Sequence, residues 1–314
     1  MFDVITFGSA TWDIFIRDND LSFVIGGKTG KEVCFPLGSK IDVDEIRFFS
    51  GGGGTNTATT FAKQGLKTAY CGAVGNDLAG ESIIKDLKRV GVNTSLIQKV
   101  SKKPTNHSLI LSIPNQDRTI FSYKGASNLV SFKNINLSAK YFYLSPLSKS
   151  FEYLVNYAWK RGIKVAVNMG QSQLNLPKKK LEKILSKTNI LILNKEESSL
   201  LSGIPYEKEE EIFNYISNFY SGIFVMTKGS KGLLAFDGKR KYECGILKSK
   251  VVDRTGAGDS FAAGFVSEYI ISGDILKAIQ FGSANATSCL TKWGAKNGII
   301  NRNDEYRKIK IQML

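Results

Sequence analysis

The chain has 314 residues, with 43 Lys and Arg against 28 Asp and Glu and a single His, giving a formal net charge of +15. Hydrophobic content of 42% and charged content of 23% are ordinary for a soluble globular chain long enough to bury one large core. Four scattered cysteines (Cys34, Cys71, Cys244 and Cys289), with no C-x-x-C pair and only His107, exclude a zinc constellation and read as reduced thiols of a cytoplasmic protein.

Asp3 and Asp13 interrupt the apolar residues of the N-terminus, so neither a signal peptide nor a membrane span is expected. The lysines are spread along the chain, with short clusters such as 178–180 and 239–241 that read as solvated faces. No nucleic-acid-binding motif accompanies them, so the charge does not imply a nucleic-acid partner, although a basic surface helps to draw in phosphorylated nucleotides.

In chain order, residues 4–7 are an apolar run that predicts a first strand, followed by G-S-A-T-W-D. Asp13 is expected just beyond the end of that strand, where open α/β sheets bind ligands, against the default of an exposed loop Asp. Residues 14–49 hold β-like stretches at 23–25, 32–36 and 46–49. Gly27-Lys28-Thr29 imitates the end of a P-loop, but Ser22 stands where that motif needs Gly and no helical pattern follows, so a turn is expected.

Residues 50–66 read S-G-G-G-G-T-N-T-A-T-T-F-A-K-Q-G-L. Four glycines let backbone approach a ligand closely, and the amide of Asn56 can both donate to and accept from hydroxyls. Ala58, Phe61 and Ala62 continue as a helix that Gly65 ends. Residues 68–74 then predict a strand and 78–90 a helix stopped by Gly91. Residues 104–124 alternate apolar and polar about a turn at Pro114-Asn115, which predicts a hairpin.

Residues 142–144 and 164–168 predict strands, with a helix over 151–161 between them, and a further helix begins after Pro177. Strands at 190–193 and 223–226 lead into N-K-E-E and T-K-G-S-K-G. This alternation predicts an α/β fold with a mostly parallel sheet covered on both faces. Residues 252–265 read V-D-R-T-G-A-G-D-S-F-A-A-G-F. Phe261, Phe265, Val266, Tyr269 and Ile270 recur at helical spacing and Gly273 is the stop. The N–H groups of Gly256, Ala257 and Gly258 then face outward at a positive helix end, which suits a phosphoryl group, and Asp259 can take a proton from an attacking hydroxyl.

D-x-T-G-A-G-D-x-F resembles the C-terminal signature of the ribokinase-like (PfkB-type) carbohydrate and nucleoside kinases, and G-G-x-x-x-N-x-A resembles their N-terminal signature. The two occur in family order about 200 residues apart, and with the three smaller motifs the resemblance covers nearly the whole chain. It implies a three-layer αβα domain spanning 1–314, with a small β lid formed by about 14–49 and 104–124, and a homodimer that covers the lid's open edges.

The resemblance also implies ATP as donor and Asp259 as base, with the 256–258 backbone as anion hole. Asp13, Thr11, Gly52, Gly53, Asn56 and Asn168 become substrate ligands. Asn194, Glu197, Thr227, Gly229, Gly232 and Asn285 fall on the nucleotide side, with Glu197 holding Mg2+ through water. Asp253 and Thr255 match part of a monovalent-cation (K+) site, while Gly298 falls where several sugar kinases supply a side-chain oxygen and cannot do so.

Ribokinases read G-G-K-G-A-N, so Gly53 replaces their Lys, and Thr11 stands where they carry Asn. Both departures weaken ribose itself as substrate. Asn168-Met169-Gly170-Gln171 and the stretch 123–128 are similar to elements of sugar and nucleoside kinases in the family. A ribose- or hexose-like sugar is expected, with a nucleoside as the alternative, in which case Trp12 and Phe121 are candidates to stack on the base. A non-catalytic ligand-binding relative would be expected to lose the base or the anion hole, and both are present. A dinucleotide-binding oxidoreductase lacks its G-x-G-x-x-G here.

Overall fold

The computed structural model describes residues 1–17, 24–25, 31–112, 118–132, 135–147 and 150–314. The turns expected at 27–29 and at Pro114-Asn115 lie outside the described residues. Among those described, the strands are β1 (Phe2–Phe7), β2 (Thr11–Arg17), β3 (Val24–Ile25), β4 (Lys31–Glu32), β5 (Glu45–Gly51), β6 (Thr68–Gly75), β7 (Ile97–Val100), β8 (Asn106–Ser112), β9 (Arg118–Tyr123), β10 (Ala139–Leu144), β11 (Lys164–Asn168), β12 (Ile190–Asn194), β13 (Ile223–Thr227), β14 (Leu233–Phe236), β15 (Lys241–Cys244) and β16 (Ile311–Met313). The helices are α1 (Gly53–Lys63), α2 (Leu78–Arg89), α3 (Phe151–Lys160), α4 (Gln171–Leu174), α5 (Lys178–Leu185), α6 (Lys195–Ser202), α7 (Glu209–Phe219), α8 (Ala257–Ser272) and α9 (Ile275–Leu290).

Ten strands form one sheet in the order β16-β15-β14-β13-β12-β11-β10-β1-β6-β7. From β13 to β7 every pairing is parallel, and β14, β15 and β16 add antiparallel strands at one edge. Apart from the edge strand β7, the parallel strands are buried on both faces, and alternate residues divide between two cores. Ile5, Phe142, Val165, Leu191 and Phe224 meet α3, α5, α6 and α7 on one side. Val4, Tyr143, Ala166, Ile192 and Val225 meet α1, α8 and α9 on the other. The result is the three-layer αβα arrangement expected from the alternation of elements.

A second sheet runs β5-β2-β8-β9, with β2 antiparallel to β5 and parallel to β8, and β8 antiparallel to β9. The hairpin expected over 104–124 is the β8–β9 pair. The segment 14–49 contributes less regular structure than its residues suggested, because 33–44 form no strand. The smaller sheet instead starts earlier, at Thr11. Asp13, just beyond the first strand as expected, is therefore a residue of β2 and only 6% exposed, not the exposed loop Asp of the default alternative. The apolar run of β1 gave no sign that the chain would pair again after only three residues.

The helix over the 252–265 block also differs in character. An amphipathic face was expected, but every residue from Ser260 to Glu268 is buried, because α9 packs along the side that would otherwise face water. Gly273 closes it in the left-handed region at φ 67°, as expected of a stop signal. No helix among the described residues is long and apolar enough to cross a membrane.

Phe265 is fully buried between α8 and the sheet. Phe265→Ala is expected to lower unfolding free energy by about 3–5 kcal/mol, read from urea denaturation, with the pairing of the sheet retained.

Candidate active site

The C-terminal ends of β1, β10, β11, β12 and β13 lie along one edge of the large sheet because these strands are parallel. That edge carries Gly8, Ser9 and Ser145 in the turns just past β1 and β10, and Asn168, Asn194 and Thr227 as the last residues of β11, β12 and β13. The first turns of α1 and α8 close over it, since both helices pack on the same face of the sheet.

The glycine block at 51–54 is explained position by position by its packing. A Cβ on Gly51 would fall 1.9 Å from Asp13 Oδ2, and Gly52 has φ 95° with its backbone against Ser9. A Cβ on Gly53 would meet Ser145 Oγ at 3.3 Å and Asp259 Oδ1 at 3.6 Å, so Gly53 borders the acid expected to be the base. Gly256 caps α8 at φ 77° with no side-chain capping bond, and a Cβ there would collide with Ala295. The first N–H groups of this helix therefore have no side-chain acceptor, and the helix dipole adds positive character to them.

Asn56 and Asp259 are 203 positions apart in sequence, and Asn56 Nδ2 donates to Asp259 Oδ2 at 2.9 Å. Burial pushes the Asp259 carboxyl above the ordinary carboxylate range, opposed by the Asn56 bond and by Lys296. Asp13 is pushed up to about 6 by burial, opposed by a hydrogen bond from Ser108 and by Lys296, while Asp253 and Asp259 push it further up. Thr11, Asp13, Gly52, Gly53, Asn56, Asp259 and the 256–258 turn are thus brought together. Asn168 sits at the end of β11 and donates to Ile192 O at 3.0 Å, so its side chain spans two strands.

Asn194 and Glu197 form a reciprocal cap on α6. Asn194 Oδ1 accepts from Glu197 N at 2.8 Å and Glu197 Oε2 accepts from Asn194 N at 2.9 Å. Burial pushes Glu197 up to about 7, and Glu196 and Asp259 add to this against the capping bond. One Glu197 oxygen is taken by the cap, and the donor set fits a metal held through water better than one held directly. Thr227, Gly229 and Gly232 form the turn between β13 and β14, closed by Lys228 N donating to Gly232 O at 2.7 Å.

Asn285 does not face the site. It is fully buried, donating to Ser260 O at 2.8 Å and accepting from Ile300 N at 3.0 Å, so it ties the first turn of α8 to the segment after α9. Each oxygen of Asp253 accepts one backbone N–H, from Thr255 and from Gly294 at 2.9 Å each, which fixes its carboxylate beside the 255 turn. Of the pair expected at a monovalent-cation site, Thr255 alone offers an unpartnered oxygen. Among the described residues no group of three or more acidic, His or Cys side chains converges as a direct metal site.

Ser108, Ser145 and Lys296 were not foreseen. Ser108 enters through the β2–β8 register and Ser145 through the end of β10, neither of which leaves a local sequence signal. A cavity of about 190 Å³ under the smaller sheet is lined by Ser9, Thr11, Asn106, Ser122, Lys124, Ser127 and Ser172 among others. A larger one, about 540 Å³, lies beside β5 and is lined by Trp12, Ser50, Asp86 and Lys296 among others. The smaller cavity is on the Asp13 side of the sheet; Trp12 and Phe121 are on its opposite face, because side chains alternate along β2 and β9.

The family model for pfkB family carbohydrate kinases matches residues 19–302. A ribokinase of Haemophilus influenzae is 29% identical over 269 residues, covering 81% of this chain and 85% of its own length. A nucleoside kinase of Methanocaldococcus jannaschii is 25% identical over 281 residues, covering 86% and 90%. Among solved structures, Arabidopsis thaliana ribokinase complexed with ribose and ATP superposes with a TM-score of 0.79 at 24% identity over 96% of both chains. The chain therefore belongs to the pfkB family of carbohydrate kinases, phosphotransferases that act on an alcohol group.

Proposed function

We propose that the protein transfers the γ-phosphoryl group of ATP to a hydroxyl of a ribose- or hexose-like sugar. The observation that carries this reading is the hydrogen bond of Asn56 to Asp259 at the N-terminus of α8, which fixes an acid in a first turn that has no side-chain cap. The acceptor hydroxyl gives its proton to Asp259 as its oxygen bonds to the γ-phosphorus. The bond from that phosphorus to the β–γ bridging oxygen breaks, and ADP leaves with the electron pair. The amides of Gly256, Ala257 and Gly258 stabilise charge on the phosphoryl oxygens in transit. A raised pKa makes Asp259 a better proton acceptor than an ordinary carboxylate.

Asp13, Thr11 and Asn56, with the backbone at Gly52 and Gly53, are suited to hold the sugar, and Asn168 lies at the same edge. Asn194, Glu197 and the Thr227–Gly229–Gly232 turn are suited to the nucleotide. Mg2+ carried near Glu197 through water would offset charge between the β- and γ-phosphates. A nucleoside acceptor is the second reading, favoured by the polar cavity next to Thr11. A base there would be read by hydroxyls and amides, since Trp12 and Phe121 face away.

ADP release with Mg-ATP is the test, over ribose, fructose, adenosine and cytidine. Asp259→Asn is expected to lower the rate by about 10³-fold or more with unchanged secondary structure. Turnover with a sugar supports the first reading, and turnover with nucleosides alone moves the function to the second. An Asp259→Asn variant that keeps most of the activity overturns the assignment of the base.

Asp13 yields a second outcome. Its pKa of about 6 in the folded chain lies above the ordinary carboxylate value of 3.8. The folded state holds the proton more tightly, so stability falls as pH rises from about 4 to 6 and stays lowered above that. Asp13→Asn is expected to raise stability at pH 7 by something on the order of 2 kcal/mol, an advantage that fades as pH approaches 4. The same variant is expected to raise the acceptor KM, and chemical denaturation at several pH values checks the stability part.

We also place the protein in the cytoplasm and as a homodimer through the smaller sheet. On the face opposite Asp13, Phe121, Phe48 and Tyr123 are about half exposed, and Leu109 lies between them. Such a patch is suited to a partner. Phe121→Lys is expected to convert a dimer to a monomer in light scattering, and a wild-type monomer would contradict this assignment.

A further inference from the structure

The cavity of about 540 Å³ beside β5 lies on the Trp12 face of the smaller sheet. Trp12 and Ser50 pair across β2 and β5, so their side chains share that face and Asp13 points to the other. The phosphoryl-transfer reading makes no use of this space. Its walls are strongly basic: Lys63 comes from α1, Arg89 from α2 and Lys296 from the turn after α9. Lys63 and Lys296 are half-buried, and Arg89 is exposed at the rim.

A single carboxylate answers these three cations. Asp86 pairs with Arg89 at 3.1 Å and accepts from Ser50 Oγ at 2.8 Å. Lys63 Nζ donates to Ile299 O at 3.1 Å and Lys296 Nζ to Ser50 Oγ at 3.1 Å, and among the described residues neither lysine makes an ion pair. Both ammonium groups are held by neutral oxygens, so their charge is oriented without being neutralised. Burial lowers the pKa of both amines, that of Lys296 to about 8, against the pull of nearby carboxylates, and Arg89 lowers Lys63 further. Like charges therefore share a partly dry space, an arrangement that a bound anion relieves.

We propose that this cavity is a second ligand site, separate from the phosphoryl-transfer centre, for a phosphate monoester that carries a ring. Such a group brings about two negative charges at neutral pH, which matches three cations set against one carboxylate. The two lysines and Arg89 supply charge-assisted donors to its oxygens. The Trp12 indole, half-buried in the same wall, gives the organic part an aromatic surface. The volume lies within the span of about 300–1,000 Å³ usual for small-molecule sites.

The test is 19F NMR of the intact protein labelled with 5-fluorotryptophan, with Trp12→Phe identifying the Trp12 resonance beside those of Trp159 and Trp293. Phenyl phosphate is the probe, because it is neither a sugar nor a nucleotide. It is titrated with Mg2+ and a non-hydrolysable ATP analogue at saturation, so that the phosphate positions of the donor are already filled. The Trp12 resonance is expected to shift saturably. Arg89→Glu is expected to weaken this binding about tenfold or more. Lys88→Glu makes the same charge change at the neighbouring exposed residue, which lines a different cavity, and is expected to alter it by less than about twofold. Thermal melting checks that both variants stay folded. Inorganic phosphate is expected to bind about tenfold more weakly than phenyl phosphate, and equal binding would overturn the assignment of the ring. A Trp12 resonance that does not move, or equal weakening by Arg89→Glu and Lys88→Glu, overturns the site itself. The titration needs no turnover, so it stands apart from the outcome of the ADP-release assay.

Discussion

One hydrogen bond, from the Asn56 amide to the Asp259 carboxylate, joins the two halves of the site. It can form only because α1 and α8 lie side by side on one face of the sheet with their N-termini at the same edge. The glycines around it follow from the same closeness. Side chains at 51 or 53 would push into the carboxylates of Asp13 or toward Asp259, and one at 256 would collide with Ala295. The close backbone approach read from the glycines is, in the folded chain, a set of contacts with Asp13, Asp259 and Ala295.

The site is also where the fold accepts unfavourable local terms. Asp13 and Asp259 carry raised pKa values, and Asn56 Oδ1, Ser145 Oγ, Tyr143 hydroxyl and Thr255 Oγ1 are buried without a hydrogen-bond partner. The Asn56, Ser145 and Tyr143 side chains lie around Asp259, so these polar groups gather where the chemistry is proposed. The large cores on both faces of the sheet supply the stability that makes this tolerable.

Much of this was legible in the sequence, for identifiable reasons. The alternation of buried runs with helical periodicities announced the parallel sheet, and the glycine blocks at 51–54 and 256–258 announced close approach of the backbone. Asp259 and Asn56 were legible because the spacing within each block is set by helix geometry. Long-range pairing was not. The strand that carries Asp13, the Ser108 hydrogen bond and the reach of Lys296 to Ser50 all depend on register and on turns that leave no local pattern. The backbone groups that the Asn285 and Asp253 side chains hold are likewise invisible in the sequence.

The central claim is that Asp259 faces the acceptor hydroxyl while the first turn of α8 faces the phosphoryl group. A crystal structure with Mg2+, a non-hydrolysable ATP analogue and the acceptor tests it most directly. The account predicts an acceptor oxygen about 3 Å from an Asp259 carboxylate oxygen, with the γ-phosphate on the 256–258 amides. An acceptor hydroxyl directed to another group, or a γ-phosphate bound away from that turn, would contradict it.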